Sequence, residues 1–343
     1  MEKNGTQGIR YRVKPGSLGN FYQESYELPA LETGFARIRV KAIGLNFADI
    51  FAAQGLYKAA PKDAFTPGLE YAGIVESVAD GVQDFKPGDR VMGVIRFGAY
   101  SSHVDTDARY LVHLPDSWDF ETGAAYPVQT ITAYYGMLTL GALKPGQTML
   151  IHSAAGGVGL QALKIAKAMG CYTIGTIGSE SKKKFTEEQG CARVLVRGES
   201  FESDLRSALE DRDLHLVMDS IGGDYFSIPY RLLAPMGRVV VYGSARYATR
   251  TDKPNKLHML YHYFRRPKID PQTLPERNKG LLGFNLIWLY NQVGLMHEVL
   301  KELEALQLEP PYVGHRFQFD ELPDALRLFQ SGKTMGKVVV LVD

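Results

Sequence analysis

Short apolar runs alternate with helical stretches through the middle of the chain. From Thr148 to about Trp288 the strand-like runs are TMLIHS, YTIGTIG, ARVLV, LHLVMDS, RVVVYGS and GLLGFNLIW. Between them lie helical stretches after Gly159, after Ser181, at SFESDLRSALE, at DYFSIPYRLL and near Leu257. Six strands with intervening helices predict a doubly wound parallel sheet. The first 126 residues instead show short alternating runs such as Arg37 to Ala42 and turns such as Lys86-Pro-Gly-Asp89, the pattern of a compact, mainly antiparallel β domain. After Trp288 a helix with Leu295, Val299, Leu300, Leu303 and Leu306 precedes another from Leu322 to Phe329, capped by Asp320 and closed before Gly332. The last strand, Lys337 to Val342, is expected to return to the N-terminal domain. The division is therefore 1–126 with 289–343 as one domain and 127–288 as the other, an arrangement that sets a ligand site in the cleft between domains.

Composition narrows the class. At 343 residues and 45% hydrophobic content the chain can build two cores. Its 39 basic and 38 acidic side chains nearly cancel, which argues against a nucleic-acid surface, since that needs a basic excess. Cys171 and Cys191 suit a reducing compartment and form no metal-type pair. No apolar run approaches the ~20 residues of a membrane span, and the start MEKNGTQGIR lacks the apolar core of a signal peptide. A cytoplasmic enzyme is expected.

The stretch Gln147 to Gly170 carries the clearest chemistry, because a strand runs into a glycine-rich turn and directly into a helix. Within Ala155, Gly156, Gly157, Val158 and Gly159, the glycines permit a tight turn, close approach to a pyrophosphate and close packing of the helix on the sheet, while the helix N-terminus offers free N–H groups to the anion. An Asp or Glu about 20 residues further on would mark NAD; this chain has Gly178 there, followed by Ser179 and the basic run Lys182, Lys183 and Lys184. With no carboxylate to repel a 2′-phosphate and donors close behind, the pocket is expected to take NADPH. The alternative is that the lysines only begin a solvated helix.

Further motifs carry a resemblance over nearly the whole chain. Gly44-Leu-Asn-Phe-Ala-Asp49, Gln54-Gly-Leu-Tyr57, Pro67-Gly-Leu-Glu-Tyr-Ala-Gly73, Lys86-Pro-Gly-Asp-Arg-Val91, Ala154-Ala-Gly-Gly-Val-Gly159 and Asp219-Ser-Ile-Gly222 resemble the quinone oxidoreductase group of the medium-chain dehydrogenase/reductase superfamily. Gly44 to Tyr57 and the tract before Gly280-Leu-Leu-Gly-Phe284 are most similar to its vesicle amine transport protein branch. The resemblance implies an α/β protein with a GroES-like catalytic domain, a Rossmann domain and a homodimer. Zinc-dependent members place a cysteine at the position of Asn46 and a histidine at that of Leu69, and neither an amide nor an aliphatic side chain replaces a tetrahedral zinc ligand. No metal is expected.

Without zinc or an evident general base, the site favours acceptors that are already electrophilic. The implied function is a zinc-independent NADPH-dependent reductase of quinones or α,β-unsaturated carbonyls, small molecules that take hydride directly. Asn46 matches the asparagine by the nicotinamide, where its amide can hold the ribose or polarise a carbonyl, or it is only a polar turn residue. Tyr57 matches the family's active-site tyrosine and can donate to the acceptor oxygen, or simply wall the cleft. Asp49 is expected to organise the loop. Thr132 matches a threonine near the nicotinamide, although a helix-capping hydroxyl would look the same. Ser179 and Lys182 match the 2′-phosphate contacts. Arg197 lies near where many relatives carry a tyrosine; its guanidinium can stack on the adenine, pair with the phosphate or stay solvated. Gly243 and Ser244 are expected to border the nicotinamide through the backbone.

Two features stand apart. His258 and His262, spaced i, i+4, share a helical face but have no third metal ligand in view. The surrounding Leu257 to Arg266 mixes aromatics with paired arginines and reads as a lid, a dimer surface, a membrane-surface contact or an ordinary partly buried helix. The alternative to an enzyme is accordingly an NADPH-binding interaction protein acting at a membrane surface with little turnover.

Overall fold

The computed structural model describes residues 7–343; the first six residues of the opening segment, over which the signal-peptide reading was partly made, lie outside the described residues. The chain forms two compact units. The first holds the described residues up to Val128 together with Arg250–Pro254 and Pro310–Asp343, and the second holds Gln129–Thr249 and Asn255–Glu309.

In chain order the strands begin with β1 (Gln7–Val13), β2 (Phe21–Glu27), β3 (Phe35–Gly44), β4 (Glu70–Val78), β5 (Arg90–Val94), β6 (His103–Asp107) and β7 (Leu111–His113). Then come β8 (Thr148–Ile151), β9 (Tyr172–Ile177), β10 (Arg193–Val196), β11 (Leu214–Asp219), β12 (Leu233–Val241) and β13 (Gly280–Gly283), and finally β14 (Val313–Gln318) and β15 (Lys337–Leu341).

The first unit is a mainly antiparallel sheet in the order β14-β15-β3-β4-β5-β7, with β6 also on β3 and a separate β1-β2 ribbon. The alternation read in Arg37 to Ala42 is real: Ile38, Val40 and Ala42 are buried in β3, whereas Arg37, Arg39 and Lys41 point the other way. The expected return of the last strand is observed, with β15 pairing antiparallel to β3. The helix Leu322–Gln330 buries Leu322, Ala325 and Leu326, but Asp320 is not its cap. Asp320 sits inside a 3-10 turn, Phe319–Glu321, whose start is closed by Glu321 accepting from the Gln318 N–H at 2.8 Å.

The second unit is a six-stranded, all-parallel sheet in the order β10-β9-β8-β11-β12-β13. This is the doubly wound dinucleotide-fold order, which reverses between β8 and β11. All four residues of β8 are buried, as a central strand covered on both faces requires. The helices Gly157–Ala168, Phe201–Leu209 and Asp224–Leu232 form the main crossovers.

The units part at Pro310, later than the expected residue 289. The helix Val293–Ala305 buries Val299 and Leu303, and Lys164 of the helix Gly157–Ala168 donates to the Glu309 carbonyl at 3.2 Å, tying this segment to the second unit. Arg250–Pro254 belongs to the first unit because Gln54 and Gln330 both donate to the Thr251 carbonyl and Arg327 pairs with Asp252.

Candidate functional site

In the second unit, β8 ends at Ile151 and the helix begins at Gly157. A Cβ on Gly157 would stand 1.9 Å from Gln129 Oε1, and one on Gly159 would stand 2.5 Å from the Ser153 carbonyl oxygen and 2.6 Å from Ala154 Cα. Gly159, hemmed in by backbone, therefore demands glycine, whereas at Gly157 the flexible Gln129 amide would have to swing aside. No side chain caps this helix at Gly156, so the N–H groups of its first turn are left for a bound anion. Ala155 is buried, whereas Gly157 and Val158 are half-buried. Gln129 Oε1, buried without a partner above Gly157, is a further polar atom awaiting a ligand. A glycine cradle, an uncapped helix and an orphaned oxygen fit a dinucleotide.

Thr132 lies three residues beyond Gln129 on the same face of the helix Pro127–Tyr134. It is buried and sixth in its helix, so it is not an N-cap. Gly243 follows β12, and a Cβ there would meet the Ser220 carbonyl oxygen at 3.1 Å; the neighbouring Ser244 is exposed.

His152 was not anticipated. It is fully buried, donating from Nε2 to the Tyr225 carbonyl at 2.7 Å and accepting at Nδ1 from the Thr176 hydroxyl at 2.9 Å. Burial holds its pKa below the usual histidine value, so the neutral ring ties β8 to β9 and to the helix Asp224–Leu232. Its position directly before the glycine turn was the available signal.

The end of β9 resolves the basic run. Lys183 pairs with Glu180 and Lys184 with Glu188 on the surface, so for these two the solvated-helix reading holds. Lys182 is turned in and only 9% exposed. Arg197, just after β10, sets its Nη2 2.8 Å from the position of a Cβ on Gly178, with Nη1 3.5 Å from Ser153 Oγ. Burial lowers the pKa of both cations, and for Lys182 the charge of Arg197 adds to the effect. Arg197 thus sets a half-desolvated positive charge beside Gly178, with the buried Lys182 close enough to feel it, and an anionic ligand there would relieve the guanidinium. Ser179 and Ser181 exchange a hydroxyl hydrogen bond at 2.9 Å.

In the first unit Asn46 precedes the helix Phe47–Ala53. Its Nδ2 donates to Glu70 Oε1 at 2.9 Å and to the Gly44 carbonyl at 3.2 Å, while its Oδ1 accepts from Lys337 Nζ at 2.9 Å. Lys337 also forms an ion pair with Glu70 Oε1, and Glu70 Oε2 accepts from the Val128 N–H at 2.8 Å. Glu70 can reach in because Gly44 has no side chain: a Cβ there would lie 2.9 Å from Glu70 Cγ. Asp49 Oδ2 accepts from the Asn46 N–H and from the Tyr100 hydroxyl, each at 2.8 Å, so it organises the loop. Burial pushes its pKa up to about 7. Tyr57 is half-buried against the apolar core of this unit.

Glu70 and Lys337 escaped the sequence reading. The signals were a carboxylate next to Leu69 and a lone lysine opening an otherwise apolar strand. Among the described residues no group of three His, Cys, Asp or Glu side chains could hold a metal ion. His258 and His262 instead serve Arg246: His258 Nε2 donates to its carbonyl at 2.8 Å, and its Nη2 donates to His262 Nδ1 at 2.9 Å.

Two family models match the chain, an alcohol dehydrogenase GroES-like domain over residues 32–116 and a zinc-binding dehydrogenase over residues 157–269. The synaptic vesicle membrane protein VAT-1 homolog of Rattus norvegicus is 35% identical over 316 residues, covering 91% of this chain and 78% of the relative. The chain belongs to the medium-chain dehydrogenase/reductase superfamily. Within it, the VAT-1 homologues and the quinone oxidoreductases are among its neighbours. A solved Escherichia coli quinone oxidoreductase complexed with NADPH superimposes with a TM-score of 0.83 at 25% identity, covering 97% of this chain and 99% of that one. The CurK enoyl reductase gives a TM-score of 0.85 at 26% identity over 98% of this chain and 100% of that one. The oxidoreductase fold of this superfamily, a GroES-like domain with a Rossmann domain, is thereby established for the chain.

Proposed function

We propose that the protein is a zinc-independent NADPH-dependent reductase of quinones or other α,β-unsaturated carbonyl compounds. The observation that carries this reading is the Arg197 guanidinium set against a side-chain-free Gly178, one strand away from a glycine cradle. When bound, the reduced nicotinamide supplies a hydride. Gly156, Gly157 and Gly159 with the helix N-terminus would hold the pyrophosphate, and Lys182, Arg197 and Ser179 the 2′-phosphate. Gly243, Ser244 and Thr132 would border the nicotinamide. Asn46, both of whose amide protons are engaged, would accept from a ribose hydroxyl, and the Tyr57 hydroxyl would donate toward the substrate oxygen. NADPH oxidation against a panel of quinones and enones tests the reading, and failure across the panel with cofactor binding intact would refute it. The relatives named a quinone oxidoreductase and an enoyl reductase support this substrate class. A cytoplasmic homodimer is part of the same proposal, with β13, which pairs only with β12 among the described residues, as the sheet edge it would use.

A second reading, an NADPH-binding interaction protein at a membrane surface, is favoured by the helix Lys256–Phe264. Leu257, Leu260, Tyr261 and Phe264, spaced i, i+3, i+4, i+7, form one outward stripe, with Leu257 80% and Phe264 71% exposed. Lys253, Lys256, Arg265, Arg266 and Lys268 flank it. No helix among the described residues is long and apolar enough to cross a membrane. Co-sedimentation with anionic liposomes, with and without NADPH, separates the readings; no lipid binding in either state removes this one.

A further inference from the structure

The orientation of the Asn46 amide is imposed from outside. Strand register explains how. β15 pairs with β3 so that Val339 faces Gly44 and Val340 faces Ile43, and the Leu45 N–H donates to the Val338 carbonyl at 3.0 Å. Continuing that antiparallel register brings Lys337 to Asn46. On the other side of β3, Tyr71 faces Ile43, which brings Glu70 beside Gly44.

A lysine ammonium only donates hydrogen bonds and an ionised carboxylate only accepts them. With Lys337 on one side of the amide and Glu70 on the other, the oxygen must face the lysine and the nitrogen the carboxylate. The second amide proton is taken by the Gly44 carbonyl. One lone pair on Oδ1 is all the side chain has left to offer. The Lys337 and Glu70 side chains are 4% and 0% exposed, and a buried ion pair adds little net stability over well-packed apolar residues of the same volume. What an apolar pair would not supply is the polarity of the amide.

We propose that Lys337 and Glu70 are positioning residues: they hold Asn46 as a hydrogen-bond acceptor for a ribose hydroxyl of the cofactor. This rests on the reductase reading above. Without Lys337 and Glu70 together the amide can turn over, present its N–H groups and lose that acceptor.

The test is NADPH affinity, read by the fluorescence of the reduced nicotinamide, together with unfolding of the cofactor-free protein. Glu70→Gln/Lys337→Met, which removes both charges and strands no buried carboxylate, and Asn46→Ala are each expected to weaken NADPH by roughly tenfold. Combining all three changes is expected to be no weaker than Asn46→Ala alone, since both routes remove the same acceptor. Additive losses, or a folded Glu70→Gln/Lys337→Met protein binding NADPH within about twofold of the parent, would overturn the proposal. An unmodified protein that does not bind NADPH would remove the reductase reading and the proposal with it.

Discussion

Arg197 covers Gly178: its Nη2 lies 2.8 Å from the point where a Cβ on Gly178 would stand. The absence of a side chain at the end of β9 therefore does two things. It removes the carboxylate that would select a bare ribose, and it makes room for a cation contributed by the next strand.

Replacing Gly178 with Asp would set a carboxylate against that guanidinium, neutralising it as well as repelling a 2′-phosphate. Losing a charge-assisted contact of about 1.5–3 kcal/mol weakens NADPH by roughly tenfold to a hundredfold. NADH, which has no such phosphate, is expected to change far less. Isothermal titration with both cofactors reads the difference.

The glycine turn, the strands of the second unit and the missing carboxylate at Gly178 were legible because each depends on residues close in sequence. The Asn46–Glu70–Lys337 network was not, since Lys337 is 267 residues from Glu70 and 291 from Asn46, and only the β15-β3 register joins them. The same limit applies to the division read at residue 289: the apolar stripe of Val293–Ala305 announces a buried face but not the unit it packs on. Arg197 was legible as a departure, while its place over Gly178 needed the β9-β10 pairing.

Gly159→Ala is expected to destabilise the protein. The new Cβ would meet backbone atoms of Ser153 and Ala154 at 2.5–2.6 Å, which cannot swing aside as a flexible side chain can. A loss of about 1–3 kcal/mol in urea unfolding is expected from such overpacking, with NADPH binding weakened in whatever protein remains folded.

Asp49 gives a pH signature. Its pKa is raised in the folded protein from 3.8 to about 7, so the folded state holds a proton that the unfolded state has lost across this range. Stability from this group is present below pH 3.8 and is lost as the pH rises to about 7. Relative to Asp49→Asn, the parent should therefore lose melting temperature steadily between pH 4 and 7 and run parallel above about pH 8. A constant difference across the whole range would show that Asp49 stays ionised.

Tyr57→Phe removes one hydroxyl and keeps the ring. If that hydroxyl donates to the acceptor oxygen, turnover falls by about tenfold for each 1.4 kcal/mol lost, with NADPH affinity nearly unchanged. The loss is expected to be larger for enones than for quinones, which need less polarisation. Equal and negligible changes would leave Tyr57 as packing.

Titration of the unmodified protein with NADPH and with NADH tests the cofactor assignment most directly. NADPH is expected to bind at least ~tenfold tighter, and Arg197→Met to erase most of that margin. Equal affinity for the two cofactors would contradict the role given to Lys182 and Arg197, and with it the proposed NADPH-dependent reductase.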